Sequence, residues 1–166
     1  MLDIAAWLEA GQWRAPEDAL ARDRGALAIP VFAAAELKRR FRKIEKKGKH
    51  IDRLDPRSRH KLRIQVKKVR YAAQFFESLF PGKRAGKRRT RFLAALEGLQ
   101  DALGDLNDIA VHEQRMEALG LHERRASRKR AFAAGVLTGH EDARADAAMA
   151  AAKKTYAELV ESKRFW

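Results

Sequence analysis

The chain has 166 residues, of which 36 are Lys or Arg and 22 are Asp or Glu, so its formal net charge at pH 7 is +14. Its hydrophobic content of 46% excludes wholesale disorder, and the absence of cysteine excludes disulfides, thiolate metal sites and a cysteine nucleophile. A charge balance this basic is typical of proteins whose partners are anionic.

The first 48 residues predict two short helices and one longer helix. Residues 3–10 and 16–25 form the short helices, each stopped by a glycine, and residues 30–48 form the longer one. The N-terminal segment has no basic region and no long apolar run, which argues against a signal peptide. No stretch approaches the ~20 apolar residues of a membrane span. We therefore expect a cytoplasmic protein that does not enter a membrane.

The next helix, at residues 57–77, has cations on one side and apolar residues on the other. Asp55 is a candidate N-cap, Pro56 lies in the first turn, and Pro81-Gly82 ends the helix. At about 100° per residue, the apolar stripe consists of Leu62, Val66, Val69, Ala73, Phe76 and Phe80. The polar side consists of His60, Arg63, Lys67, Tyr71 and Gln74, flanked by Lys68 and Arg70. Cations on neighbouring turns lie about 5–6 Å apart, so several can contact one extended anion.

The positive charge of the chain is concentrated around this helix. Residues 38–91 contain 22 basic and four acidic residues, which leaves 14 basic and 18 acidic residues in the rest of the chain. A merely solvated surface mixes both signs. The segment therefore predicts a binding surface for a polyanion.

Three further helices follow a predicted basic loop at residues 81–89. They cover residues 90–119, 123–137 and 141–163, and no strand pattern or fixed-period repeat is visible. The apolar stripe of the first consists of Phe92, Leu96, Leu99, Leu103, Leu106 and Ala110. Long helices joined by short loops are typical of an antiparallel bundle. We predict an all-α fold, one helical domain over residues 1–166 with its core in residues 30–119.

Two separated motifs resemble the CHAD domain, the conserved histidine α-helical domain. The first runs from His60 to Phe76, and the second is Leu-Gln-Asp-Ala-Leu-Gly-Asp-Leu-Asn-Asp at residues 99–108. Residues 7–13 and 30–49 fit the same family in order and spacing, so the resemblance covers roughly residues 1–119. It implies a helical protein that binds inorganic polyphosphate through basic residues lining a groove between two pseudo-symmetric four-helix bundles.

The resemblance is to the C-terminal half of such a domain, because the chain contains one His-and-Arg helix where a complete CHAD domain has two. It implies partners besides polyphosphate: an N-terminal CHAD half, a CYTH-type triphosphatase domain, or a second copy of this chain in a twofold homodimer. It also implies association with polyphosphate granules. No cofactor is expected.

The resemblance assigns ligand-binding roles only to residues at matching positions. His60, Arg63, Lys67 and Lys68 match the family pattern His-xx-Arg-xxx-Lys-Lys, and Arg70-Tyr71 match the pair that follows it. Arginine offers a planar fork for phosphate oxygens, whereas lysine acts as a mobile point charge. The basic run of the preceding helix extends this surface with Arg39, Arg42, Lys43 and Lys46, alongside Arg40 and Lys47.

Three of these residues have structural alternatives to ligand binding. His60 can make an orienting hydrogen bond within the bundle instead of donating to phosphate. Arg70 can form an ion pair with Asp108 or Asp101 of the next helix. Tyr71 can pack through its ring and leave only its hydroxyl in water.

Catalysis is the less favoured interpretation. Asp101, Asp105 and Asp108 share one side of a helix and could hold a divalent cation, but all three come from one segment beside a basic helix. His112 and His122 lack a closely spaced second ligand for zinc. No phosphate-binding loop, dinucleotide turn or nucleophile elbow occurs in the sequence. We therefore expect a binding protein without a metal rather than an enzyme.

Nucleic-acid binding is the main alternative function, because Tyr71 and Phe75 could stack on bases beside the cations. Single-strand binders use several exposed aromatic residues, whereas Phe76 and Phe80 fall on the core stripe. Lipid headgroups are a third option, which is disfavoured because the apolar stripes are used within the bundle. The sequence favours a bare phosphate chain as the ligand.

Overall fold

The computed structural model describes residues 27–118 and 128–166, and within these ranges it contains helices and no strand. Its long helices are α1 (Ile29–Gly48), α2 (Pro56–Phe75), α3 (Lys83–Ala118) and α4 (Arg128–Glu161). Short 3₁₀ turns at Ile51–Arg53 and Glu77–Leu79 connect α1 to α2 and α2 to α3. Each helix packs on the next, and α4 also contacts the first turn, so the predicted all-α bundle is confirmed. None of the described helices combines the length and apolar character that crossing a bilayer requires.

Helix α1 has the bounds that its proline and glycine predict. Pro30 lies in its first turn, where its missing N–H costs nothing. Its buried side chains, at steps of four and three, are Ala33, Leu37, Phe41 and Ile44. Gly48 ends the helix against the ring of Tyr156, with which even a Cβ atom would clash. The predicted short helices at residues 3–10 and 16–25 lie outside the described residues.

Helix α2 begins as predicted. The Asp55 carboxylate accepts a hydrogen bond from the Ser58 backbone N–H at 2.9 Å, and Pro56 lies in the first turn. Such an N-cap stabilises a helix by about 1 kcal/mol. The stripe residues that are fully buried are Leu62, Val66, Val69 and Ala73. They fix which side of α2 faces the core, and therefore which sides carry its cations.

Helix α2 ends earlier than predicted, at Phe75 rather than at Pro81-Gly82. The 3₁₀ turn that follows redirects the chain. Phe80 therefore leaves the α2 stripe and packs on Phe165, with 5.6 Å between the ring centroids. This edge-to-face contact favours the turn over a longer helix, since such pairs contribute about 0.5–1.5 kcal/mol of stability beyond their buried area.

Helix α3 begins at Lys83 rather than at residue 90, so the predicted basic loop at residues 81–89 is wrong. Gly82 makes the turn, because its φ of +106° is accessible to glycine and rarely to other residues. Lysine and arginine are strong helix formers and carry the helix from Lys83 onward. The predicted apolar stripe is confirmed, because all of its members, from Phe92 to Ala110, are buried.

Helix α4 is continuous where the sequence predicts two helices. The predicted break between residues 137 and 141 is wrong, because Gly139 and its neighbours are helical. A glycine inside a helix costs about 1 kcal/mol relative to alanine, and the alanine-rich stretch that follows offsets this cost. Residues 123–127 of the first predicted helix lie outside the described residues.

The last residues of the chain close the bundle. The Arg164 guanidinium donates to the backbone carbonyls of Leu159 at 3.1 Å and Val160 at 3.3 Å, which satisfies the end of α4. The same guanidinium lies over the Phe41 ring of α1, 3.8 Å from its centroid. These contacts join the end of α4 to α1.

Candidate polyanion-binding site

Cations of α2 lie along its border with α3, and we call this border the seam. Its contacts join His60 to Asn107, Arg63 to Gly104 and Arg70 to Glu97. Arg59 and Lys67 lie on the same side of α2 by helix phase, and we count them with the seam. The two helices run antiparallel, since His60 meets Asn107 near one end of the seam and Arg70 meets Glu97 toward the other. The α2 cations therefore form a row against a fixed neighbouring helix.

His60 is oriented by a hydrogen bond to α3. Its Nδ1 lies 3.1 Å from Oδ1 of Asn107, whose amide nitrogen lies 3.4 Å from the Asp108 carboxylate. Because a carbonyl oxygen only accepts, Nδ1 carries the proton in this arrangement. The alternative expected from the sequence, an orienting hydrogen bond, is confirmed. It leaves Nε2 of this exposed side chain to donate to a phosphate oxygen when the ring is protonated.

Arg63 lies against a glycine of α3. A Cβ atom at Gly104 would be 3.6 Å from Arg63 Nε, an ordinary van der Waals distance, so the guanidinium packs directly beside the glycine. The Nε atoms of Arg59, Arg63 and Arg70 are buried and have no hydrogen-bond acceptor among the described residues. Each buried donor without a partner costs about 1–3 kcal/mol.

Arg59 is the seam residue that the sequence motif missed. It lies one helical turn before Arg63, on the same flank of the apolar stripe, and that spacing was the signal available in the sequence. It extends the row of guanidiniums to the first turn of α2.

Arg70 pairs with α3, but not with the predicted partner. Its Nη1 lies 3.4 Å from the Glu97 carboxylate, so the expected pairing with Asp101 or Asp108 is wrong. The antiparallel register explains the difference, because Arg70 near the end of α2 faces the first half of α3. Asp108 lies instead beside Asn107, at the His60 end of the seam.

Tyr71 is 51% exposed and contacts cations instead of packing in the core. Lys67 Nζ lies 5.7 Å and the Arg70 guanidinium carbon 5.5 Å from its ring centroid. The Tyr71 ring therefore makes cation–π contacts with two cations of the seam. Phe75, one turn later, is 79% exposed, so the expectation that both aromatic residues are accessible is confirmed.

The remaining predicted residues do not lie on the seam. Lys68 follows Lys67 and is therefore rotated about 100° around α2, away from the seam and onto the exposed side of the helix. The predicted cations of α1, all exposed, are Arg39, Arg42, Lys43 and Lys46. Arg42 lines a cleft with Arg164 and Trp166, beside the end of α4. The structure thus divides the predicted residues between the seam and other surfaces.

Arg39 is already paired within α1. Its Nε and Nη2 donate to the Glu36 carboxylate at 2.7 Å, and Arg40 Nε donates to the same group at 2.6 Å. The hydrogen bond from Arg39 is the main cause that lowers the pKa of Glu36 to about 2. Arg39 and Arg40 therefore share one carboxylate, and both guanidinium hydrogen bonds of Arg39 to Glu36 would have to be broken or shared for it to bind a ligand.

The acidic residues considered as metal ligands lie on the surface of α3. Those residues, all exposed, are Asp101, Asp105 and Asp108. In the part of the chain that the structure describes, no three His, Asp or Glu side chains are placed to share a metal ion. His112 contacts the buried carboxylate of Glu141 and so ties α3 to α4. His122 lies outside the described residues.

A comparison with known protein families finds a match, and the matched residues include this site. The family model described as CHAD domain matches residues 1–117 of the chain, which is more than half of its length. The match contains the whole seam, because it includes α1, α2 and nearly all of α3. No significant match was found among curated proteins or among solved structures.

Proposed function

Because this chain belongs to the CHAD domain family, whose members bind polyphosphate, we propose that it binds inorganic polyphosphate along the seam. The ligand is a linear chain of phosphates that contacts Arg59, His60, Arg63, Lys67 and Arg70 in turn. The observation that carries the proposal is the row of partly exposed seam guanidiniums on α2, of which only Arg70 has a carboxylate partner among the described residues.

The dimensions of the seam suit an extended ligand. From Arg59 to Arg70, α2 rises about 16 Å at 1.5 Å per residue, so several phosphates of one chain fit along it. Arginine binds two phosphate oxygens through its fork, and His60 and Lys67 add single contacts. The hydrogen bond to Asn107 holds His60 in place, which reduces the conformational entropy lost on binding.

We propose binding without hydrolysis. The seam carboxylate is Glu97, which is engaged by Arg70 rather than placed to activate water. Polyphosphate of defined length, incubated with the protein and resolved on a gel, is expected to keep its length. Shortening that depends on the protein would contradict this part of the proposal.

We also propose that the seam acts together with a second anion-binding unit. That unit is an N-terminal CHAD half, a CYTH-type triphosphatase domain or a second copy of this chain. Light scattering at high concentration, with and without polyphosphate, tests the second copy. A dimer supports it, and a monomer under both conditions contradicts the homodimer.

The proposed location is the cytoplasm, in association with polyphosphate granules. Tagged protein in cells is expected to form foci that coincide with polyphosphate staining. Diffuse signal in cells that contain stained granules would contradict this location.

Nucleic-acid binding is a second candidate, because two aromatic side chains beside the cations are accessible. Tyr71 is 51% and Phe75 79% exposed, and an exposed aromatic ring stacks on a base with a gain of about 1–3 kcal/mol. Against this candidate, the Tyr71 ring already faces Lys67 and Arg70. The seam otherwise consists of cations and small polar groups, which match phosphate rather than base.

Competition at near-physiological salt separates the two candidates. Labelled long-chain polyphosphate is displaced by single-stranded RNA, duplex DNA or heparin at matched charge, for the wild type and for Tyr71→Ala/Phe75→Ala. The proposal expects strong preference for polyphosphate and little effect of the aromatic substitutions. Equal displacement by RNA, lost in the aromatic variant, would assign the surface to nucleic acid instead. Salt dependence alone does not discriminate, because every linear polyanion releases counterions on binding.

A further inference from the structure

A second cluster of cations lines a cleft where α3 begins and α4 ends. The cleft has a volume of about 650 Å³. Its lining consists of the cations Lys83, Arg84, Lys87, Arg88, Arg91 and Lys163, with Glu161 and Ser162. The sequence placed most of these cations in a loop, whereas the helix arranges them on successive turns.

This cleft lies on the opposite flank of α3 from the seam. Gly98 faces α4, because a Cβ atom there would touch the Thr155 side chain at 3.0 Å. Lys87 and Arg91 precede Gly98 by nearly whole numbers of 3.6-residue turns and therefore share its face. Arg89, by contrast, faces the 3₁₀ turn after α2 and lies 3.6 Å from the Glu77 carboxylate. A ligand in the cleft is therefore separated from the seam by the body of α3.

The cleft cations have no carboxylate partner in the described part of the chain. Elsewhere in the bundle, ion pairs join Arg39 to Glu36, Arg70 to Glu97, Arg89 to Glu77 and Arg164 to Glu45. None of the ion pairs among the described residues involves a cation of the cleft, and Arg88 donates only to the Arg164 carbonyl. The first turn of α3 holds no acidic residue, so the positive end of the helix dipole adds to the same potential.

We propose that this cleft binds a triphosphate group, carried either by inorganic tripolyphosphate or by a nucleoside triphosphate. A compact ligand fits because the cations from Lys83 to Arg91 span about 12 Å of helix. The volume lies within the roughly 300–1,000 Å³ of small-molecule sites. A single phosphate would leave most of the cations uncompensated. No aromatic side chain lines the cleft, so recognition is directed at phosphate rather than at a base.

Calorimetric titration with inorganic tripolyphosphate and, separately, with ATP tests the proposal. Lys87→Ala/Arg91→Ala removes two exposed cations, and Arg144→Ala/Lys154→Ala, which removes the same charge from exposed positions of α4, is the matched control. The cleft variant is expected to lose affinity about tenfold or more, since two charge-assisted contacts are lost. The control is expected to change affinity less than about twofold, through the loss of long-range charge alone. Equal losses in both variants, or no binding of either ligand below about 1 mM, would overturn the proposal.

The two ligands identify the source of the triphosphate group. Equal affinity for tripolyphosphate and ATP would show that the cleft recognises the triphosphate group that both carry. Tighter binding of tripolyphosphate would identify the inorganic form as the ligand. Both results support the site. Tighter binding of ATP that is also displaced by adenosine would overturn it, because the base would then direct binding.

A substitution of opposite sign gives an independent check. Glu161→Gln removes the carboxylate of the cleft and is expected to strengthen tripolyphosphate binding about two- to threefold. Glu113→Gln, at an exposed position elsewhere on α3, is its control and leaves binding unchanged. Tripolyphosphate binding that survives Arg63→Ala/Lys67→Ala shows that the cleft is independent of the seam, and loss in that variant overturns a separate site.

Discussion

Cations lie on both flanks of α3, but their side chains are held in different ways. On the seam, His60 is hydrogen-bonded to Asn107 and Arg70 to Glu97, and Arg63 lies against Gly104. In the cleft, Lys83, Lys87 and Arg91 are exposed and have no carboxylate partner among the described residues. The seam is therefore a row of oriented cations, and the cleft is a cluster of exposed cations without carboxylate partners among the described residues.

The difference originates in the residues that α3 presents on each side. Toward α2 it presents Gly104, beside which a guanidinium packs, and two polar residues that orient cations. Toward the start of α3, the cleft opens because α4 ends at Glu161 and the chain turns into the aromatic C-terminus. A row of oriented cations suits an extended ligand, since less side-chain entropy is lost on binding. A dense cluster of exposed cations suits a compact and highly charged one.

Removing the seam cations is the most direct way to break this comparison. Arg63→Ala/Lys67→Ala is expected to weaken long-chain polyphosphate binding about 10- to 100-fold, because two charge-assisted contacts and their counterion release are lost. Fluorescence anisotropy with labelled polyphosphate measures the change. Arg144→Ala/Lys154→Ala loses the same charge and is the control. Equal weakening by both variants would show that only net charge matters.

Filling the space beside Arg63 tests the geometry of the seam without changing its charge. Gly104→Leu is expected to weaken polyphosphate binding about three- to tenfold, because the added side chain displaces the guanidinium and removes its charge-assisted contact. Gly104→Ala is the control, since its Cβ atom meets Arg63 only at an ordinary 3.6 Å.

The alanine variant is expected to retain affinity and to gain about 0.5–1 kcal/mol of unfolding free energy from its helix propensity. Urea denaturation and the same anisotropy titration measure both quantities. A loss of affinity in Gly104→Ala as large as in Gly104→Leu would contradict the steric account.

Removing the carboxylate of the seam tests its charge in the opposite direction from removing its cations. Glu97→Gln frees Arg70 and deletes a negative charge beside the row, so polyphosphate affinity is expected to rise about two- to threefold. Glu113→Gln removes an exposed carboxylate of α3 at a distance from the seam and serves as the control. An affinity unchanged by Glu97→Gln would mean that Arg70 does not take part in binding.

The ion pairs of Glu36 with Arg39 and Arg40 provide the smallest and most specific test, because they lie within α1 and away from the seam. The pKa of Glu36 is lowered to about 2 from 4.5, so its ion pairs stabilise the fold above about pH 4.5, and this stability is lost as the pH falls toward 2. Glu36→Gln is expected to be less stable than the wild type by about 0.5–1 kcal/mol at pH 7.

The difference in unfolding free energy between the wild type and Glu36→Gln is the quantity to follow. It is expected to shrink between about pH 4.5 and pH 2 as the wild-type carboxyl is protonated. Urea midpoints measured at several pH values give this difference directly. A difference that stays constant down to pH 2 would contradict the lowered pKa of Glu36.

The helices could be predicted wherever sequence punctuation and packing agreed. Asp55 and Pro56 start α2, and Pro30 and Gly48 bound α1, as expected. The prediction was wrong where neighbouring residues outweighed a single local signal. Glycine at 139 does not interrupt α4, because its helical neighbours tolerate a cost of about 1 kcal/mol.

The candidate site could be predicted in composition but not in arrangement. The sequence identifies His60, Arg63, Lys67 and Arg70, yet the register of α2 against α3 decides that Arg70 meets Glu97 rather than Asp101. That register depends on packing between helices, which residue spacing within one helix does not reveal. For the same reason the sequence grouped α1 and α2 cations on one surface that the bundle divides.

Lysine footprinting with mass spectrometry tests the central claim most directly. Wild-type protein is acetylated with and without long-chain polyphosphate, at the lowest concentration that saturates binding. The account predicts that Lys67 on the seam is strongly protected, whereas Lys154 on α4 is modified at its original rate. Equal protection of Lys67 and Lys154, or protection of neither, would contradict binding of polyphosphate along the seam.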